Sequence, residues 1–132
     1  MDQMIENMLN QAKQVAKNAY SPYSKFSVGT CIRATDGKFY CGCNIENISY
    51  SLTLCAETSA IAAMLSAGST EIAEVVIFAD GSELSTSCGA CRQRMQEFSK
   101  PDVLVHAFNN KDDRKTLRMD ELLPQPFSFD KI

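Results

Sequence analysis

The sequence predicts an α/β fold, a three-layer α/β/α sandwich around a mixed, mostly five-stranded sheet. Two patterns carry that reading. Short β-branched runs such as Val75-Val76-Ile77-Phe78-Ala79 alternate with segments whose apolar residues recur at helical spacing. No internal repeat, low-complexity stretch or linker interrupts them, so residues 1–132 read as a single domain.

Met4, Ile5, Met8, Leu9, Ala12, Val15, Ala16 and Ala19 fall on one face of a first helix. Ser21-Pro22 stops it, because proline disfavours a helical residue before it. Phe26 to Ala34 reads as a strand and Phe39 to Asn44 as its hairpin partner, with Asp36-Gly37 at the turn. A loop from Glu46 to Leu54 leads to a second helix, from Cys55 to Gly68. Its alanine-rich run, Ala60 to Leu65, allows close packing on a sheet. Glu74 to Ala79 is a buried strand, Cys88 to Phe98 a third helix stopped by Pro101, and Val103 to Phe108 a further strand. Thr116 to Met119 is a short fifth strand, and Glu121 to Pro124 a last helical turn. The β-α-β crossovers require parallel strands, and ligands in such sheets sit where helices begin after strand ends.

Composition narrows the function. The chain has 132 residues, 45% of them hydrophobic, which suits a globular domain with a core of its own. The net charge of −3 gives no footprint for a nucleic-acid backbone. Apolar runs are far too short to span a bilayer, and no cationic start precedes an apolar block. The expectation is a cytoplasmic protein that engages neither membrane nor nucleic acid. Six cysteines without a secretory signal favour reduced thiols and metal ligation over disulfides.

Chemistry concentrates in Cys55-Ala56-Glu57 and Cys88-Gly89-Ala90-Cys91. Three thiolates can hold one Zn²⁺ per chain and leave its fourth position for water, the mark of a catalytic rather than a structural site. Glu57, two residues after a ligand, can stand beside that water as a proton carrier. Both motifs fall at predicted helix starts, where the dipole favours thiolate. Asn44 and Glu46, two apart on a strand, share a face and can grip a diol. Blander readings stand beside these. Glu57 can serve as a first-turn acid, Asn44 and Glu46 as turn and surface residues, and Phe26 and Phe127 as core aromatics. His106 can be a buried histidine satisfied locally, and Cys31, Cys41 and Cys43 small strand residues.

Taken together, the motifs resemble the cytidine deaminases of the small, homotetrameric type, which follow the general zinc-deaminase pattern. The likeness runs through Tyr20-Ser21-Pro22-Tyr23-Ser24-Lys25-Phe26, Gly42-Cys43-Asn44-Ile45-Glu46-Asn47, Cys55-Ala56-Glu57, Cys88-Gly89-Ala90-Cys91-Arg92-Gln93 and Glu121-Leu122-Leu123-Pro124. The resemblance implies zinc on Cys55, Cys88 and Cys91, with Glu57 as proton shuttle. It implies that Asn44 and Glu46 bind ribose hydroxyls, Phe26 packs on the pyrimidine, and the Ala56 backbone reads the polar edge of the base. Tyr50 and Phe127 match residues lent to a neighbouring subunit's site in a homotetramer. The implied activity is hydrolytic deamination of cytidine and deoxycytidine in pyrimidine salvage.

Two departures from the pattern stand out. Ser87 replaces the usual proline before the CxxC, and Thr58 the usual arginine after Cys-Ala-Glu. Arg94, three residues after Cys91, offers the missing positive charge from the other helix, reaching Cys55 or Cys88 directly or through Thr58. Alternatives from other classes remain. One is a related cytosine nucleoside analogue as substrate. Another is a thioredoxin-like dithiol at Cys88 and Cys91, which leaves Cys55 and Glu57 unexplained. A structural zinc module needs a fourth ligand, His106 or Cys43.

Overall fold

Asp2 accepts the Met4 N–H at 2.8 Å and so caps the first helix, α1 (Gln3–Ala16). This is seen in a computed structural model that describes residues 2–128. The helix buries Ile5, Met8, Leu9, Ala12 and Ala16, the face read from the periodicity. It ends earlier than expected: Asn18 and Ala19 continue only as tight turns onto Val15 and Ala16.

Five strands follow: β1 (Val28–Ala34), β2 (Phe39–Cys43), β3 (Ile72–Ala79), β4 (Ser99–Phe108) and β5 (Arg114–Arg118). They lie side by side in the order β2-β1-β3-β4-β5. β1 is antiparallel to both neighbours, β3 and β4 are parallel, and β5 returns antiparallel. β2, β3 and β4 therefore share one direction. That direction suits the two crossover helices, α2 (Ala56–Ser66) between β2 and β3, and α3 (Gly89–Glu97) between β3 and β4. The mixed five-stranded sheet is the one expected.

Alternation along the strands splits the core into two layers. Ile32, Val75, Ile77, Val103 and Val105 face α2, α3 and the short α4 (Met119–Leu122). Cys31, Val76, Phe78 and Phe108 face α1. Two glycines let helices approach the sheet closely. A Cβ at Gly29 would lie 2.0 Å from Ala12 O of α1, and one at Gly42 would lie 2.3 Å from Ala60 N of α2.

Several other boundaries shift by a few residues, as where β3 begins at Ile72, β4 at Ser99, β5 at Arg114 and α4 at Met119, and two differences have a visible physical reason. β1 begins at Val28, not Phe26, because the Asn44 side chain captures the Val28 N–H and the Phe26 carbonyl. Pro101 lies inside β4 and does not stop α3, which already ends at Glu97. The β3–β4 register slips between the Ile72↔Ser99 and Glu74↔Leu104 pairs, and proline is tolerated in such an irregularity.

Candidate active site

Both cysteine motifs open helices on the same side of the sheet. Cys55 is the N-cap of α2 and Cys88 the N-cap of α3, with Cys91 one turn further along α3. Since α2 packs against α3, the two starts meet. The three sulfurs lie within 4.8 Å of one another. A tetrahedral ion with Zn–S bonds of about 2.3 Å separates its sulfurs by about 3.8 Å, so the donor set fits zinc after a small contraction. Cys91 is buried, Cys55 half-buried and Cys88 exposed. The Cys55 thiol is held below its ordinary value chiefly by a hydrogen bond from Cys91. The same bond, with burial, pushes the Cys91 thiol up. His106 and Cys43 are not part of this group. His106 is occupied elsewhere, with Nε2 2.6 Å from Glu74 Oε2 and Nδ1 2.8 Å from Thr116 Oγ1.

A cleft of about 230 Å³ adjoins the cysteines. Its walls carry Phe26, Asn44, Glu46, Cys55, Ala56, Glu57 and Cys88, so most of the residues singled out from the sequence converge there. Glu57 is only 5% exposed and forms no hydrogen bond to any other described residue. It sits in the first turn of α2, beside the thiols, whose ionisation it opposes. A buried carboxylate without a protein partner on a cleft wall is poised to meet a ligand proton.

Asn44 and Glu46 are held by the segment that precedes β1. Asn44 Oδ1 accepts from Val28 N at 2.9 Å, and its Nδ2 donates to Phe26 O at 2.8 Å. Glu46 Oε1 accepts from the N–H groups of Tyr23 at 3.0 Å and Ser24 at 3.1 Å, and Ser24 Oγ donates to Oε2. That hydroxyl bond is the main reason the Glu46 carboxyl lies below its usual range. Each side chain keeps lone pairs, and Asn44 one proton, for a ligand.

Sequence reasoning missed two supports. Ser24 was visible only as part of a motif, yet it fixes Glu46. Arg92 clamps the loop before Cys88, donating to Ser87 O at 2.8 Å, Thr86 Oγ1 at 2.8 Å and Leu122 O at 2.9 Å. Tyr50 and Phe127 do not line the cleft. Tyr50 stacks edge-on against Tyr23, with ring centres 6.2 Å apart, and the Phe127 backbone is tied to the Gln93 side chain. Arg94 reaches Thr58 Oγ1 at 3.2 Å, and the sulfur beyond that hydroxyl is Cys91, not the expected Cys55 or Cys88.

The chain matches the family model of the cytidine and deoxycytidylate deaminase zinc-binding region over residues 2–107. It belongs to that family. Relatives in this family include the cytidine deaminase of Sporosarcina psychrophila, 40% identical over 97% of this chain and 94% of its own length. The cytidine deaminase of Halalkalibacterium halodurans is 38% identical over 95% of each. Among solved structures, the cytidine deaminase of Burkholderia pseudomallei superposes with a TM-score of 0.89 at 36% identity, covering 96% of this chain and 100% of that one. The family's zinc-binding region thus spans both cysteine motifs of this deaminase-family chain, and the sulfur cluster is where its metal belongs.

Proposed function

We propose that this protein hydrolyses cytidine and deoxycytidine to uridine and deoxyuridine with release of ammonia, as a single catalytic domain spanning residues 1–132. The observation that carries the reading is the meeting of two ligand cysteines, the buried Glu57, Asn44 and Glu46 in one cleft. Relatives that bear the cytidine deaminase name across nearly their whole length support it. Cys55, Cys88 and Cys91 would hold the zinc, which when bound would lower the pKa of water and so make a nucleophile available near neutral pH. Glu57 accepts one proton of the attacking water and passes it to the ring nitrogen, then takes the second proton of that oxygen and hands it to the amine, so that the C–N bond breaks as the ring carbonyl forms and ammonia leaves. One carboxylate near both positions serves each transfer. Asn44 and Glu46 hold the ribose hydroxyls, Phe26 packs on the pyrimidine, and the Ala56 backbone meets the polar edge of the base.

The cleft also argues for a free nucleoside over a nucleotide. Among the described residues, no lysine, arginine or histidine lines it, while two carboxylates, Glu46 and Glu57, do. A phosphate there would meet like charge without compensation. The proposed working form is a cytoplasmic homotetramer serving pyrimidine salvage. The rings of Tyr50 and Phe127, at residues 74% and 71% exposed, would complete a neighbour's site. No helix among the described residues is long and apolar enough to cross a membrane.

Ammonia release from zinc-loaded protein given cytidine, deoxycytidine, cytosine and deoxycytidylate tests the reading. The two nucleosides should turn over, and the other two should be poor substrates. Equal turnover of cytosine would sink the ribose assignment, and inactivity toward all four would sink the function.

A further inference from the structure

We infer that Arg94 and Thr58 form a hydrogen-bond relay onto the Cys91 sulfur, and that they act as positioning residues for the metal that the three cysteines hold. The inference rests on the zinc assignment above. Thr58 lies three residues after Cys55 on α2, and Arg94 three residues after Cys91 on α3. Each therefore sits one turn beyond a ligand, where side chains share a helix face. The packed helices bring the two together. Arg94 Nη1 is 3.2 Å from Thr58 Oγ1, and Thr58 Oγ1 is 3.7 Å from Cys91 Sγ.

The direction of the relay follows from donor chemistry. A guanidinium only donates, so Thr58 Oγ1 must be the acceptor in the first bond. Once the metal is bound, Cys91 is a thiolate with no proton to give, so the single hydroxyl proton of Thr58 must be the one in the second bond. Cationic donor, hydroxyl and sulfur thus form one ordered chain. Nothing competes for the guanidinium, since no carboxylate among the described residues pairs with Arg94.

Burial explains why Cys91 is the sulfur served. Three thiolates around one divalent ion leave a net negative charge. Cys88 is exposed and can be solvated, and Cys55 and Cys88 both stand at helix N-caps beside free N–H groups. Cys91 is 0% exposed, so no water reaches it. Its charge needs a donor from the protein, and Thr58, polarised by Arg94, is placed to supply it. Groups that bond to metal ligands tune the metal although they never touch it.

Zinc affinity measured by competition with a chromogenic chelator tests the relay, together with the sulfur-to-cobalt charge-transfer band of the Co²⁺-substituted protein. Neither readout needs turnover. Arg94→Leu and Thr58→Val should each weaken zinc binding about tenfold and move the band to lower energy, as expected for a thiolate that has lost a donor. The double variant should bind no more weakly than the weaker single one, because the two residues act in series. Thr58→Ser, which keeps the hydroxyl, should bind like the parent. Parent-like affinity and spectrum in both single variants would overturn the relay. So would losses that multiply in the double variant, or a Thr58→Ser as weak as Thr58→Val. A parent that binds neither ion would instead overturn the zinc assignment, and the relay with it.

Discussion

Asn44 holds Val28 by an Oδ1 bond to its N–H at 2.9 Å, and the same amide gives a proton to Phe26 O at 2.8 Å. One side chain thus sets the start of β1 at Val28 and leaves Phe26 on the cleft wall. Asn44 is both a wall of the cleft and the clasp that shapes it.

Asn44→Ala should therefore fail in two ways. Leaving the Val28 N–H and Phe26 carbonyl unpaired should cost about 1–3 kcal/mol in urea unfolding. The KM for cytidine should rise as well, while the residual rate on free cytosine stays close to the parent's. A variant as stable as the parent would show that water replaces the amide at both backbone groups.

Glu57→Gln keeps size and polarity and removes the proton acceptor. Zinc content should be unchanged and turnover of cytidine lower by at least about a hundredfold. A near-normal rate would reduce Glu57 to a helix-start charge.

Gly42→Ala and Gly29→Ala should separate the two layers. The new methyl at Gly42 would strike the α2 backbone at Ala60 N, 2.3 Å away, and the one at Gly29 would strike Ala12 O of α1 at 2.0 Å. Each should destabilise the fold by about 1–3 kcal/mol, the usual cost of overpacking. Only Gly42→Ala displaces the helix that begins at Cys55, so only it should also weaken zinc binding in a chelator titration. Equal zinc affinity in the two variants would detach α2 placement from the metal.

His106 predicts a pH effect of definite sign. Burial is the main cause holding it below the ordinary value of 6.5, against opposing help from Glu74. Arg114 Nη2 also lies 3.1 Å from its Nδ1, and the more distant Asp2 favours the charged ring. Unfolded chains take up the proton first, so protonation favours unfolding. Stability should fall as pH drops below about 6.5, toward the lowered folded value. In His106→Gln the unfolding free energy should lose part of that slope in denaturant titrations carried below about pH 6.5. An unchanged slope would assign the acid sensitivity to other groups.

The legible part of this chain is what local patterns encode. Strand order along the sequence, the apolar face of α1 and the Cys-Ala-Glu and CxxC helix starts all follow from spacing within a few residues. Pro101 misled because a proline stop and a proline in an irregular strand look alike until the partner strand is known. The bonds from Tyr23 and Ser24 to Glu46 span more than twenty residues and leave no periodic trace. The same holds for Arg92 reaching Leu122 O, thirty residues away. Asn44 and Glu46 were found as cleft residues, but their role in holding the cleft's own backbone was not.

The graded burial of the three sulfurs sets an order of attack. Cys91, in the first turn of α3, is buried, Cys55 is half-covered, and Cys88 faces solvent. An alkylating reagent or oxidant arriving from outside must meet Cys88 first, and its loss opens the cluster while two thiols remain intact. Protection of a single thiol per chain by zinc would therefore track the life of the whole centre, and the vulnerable point of this protein is its outermost ligand.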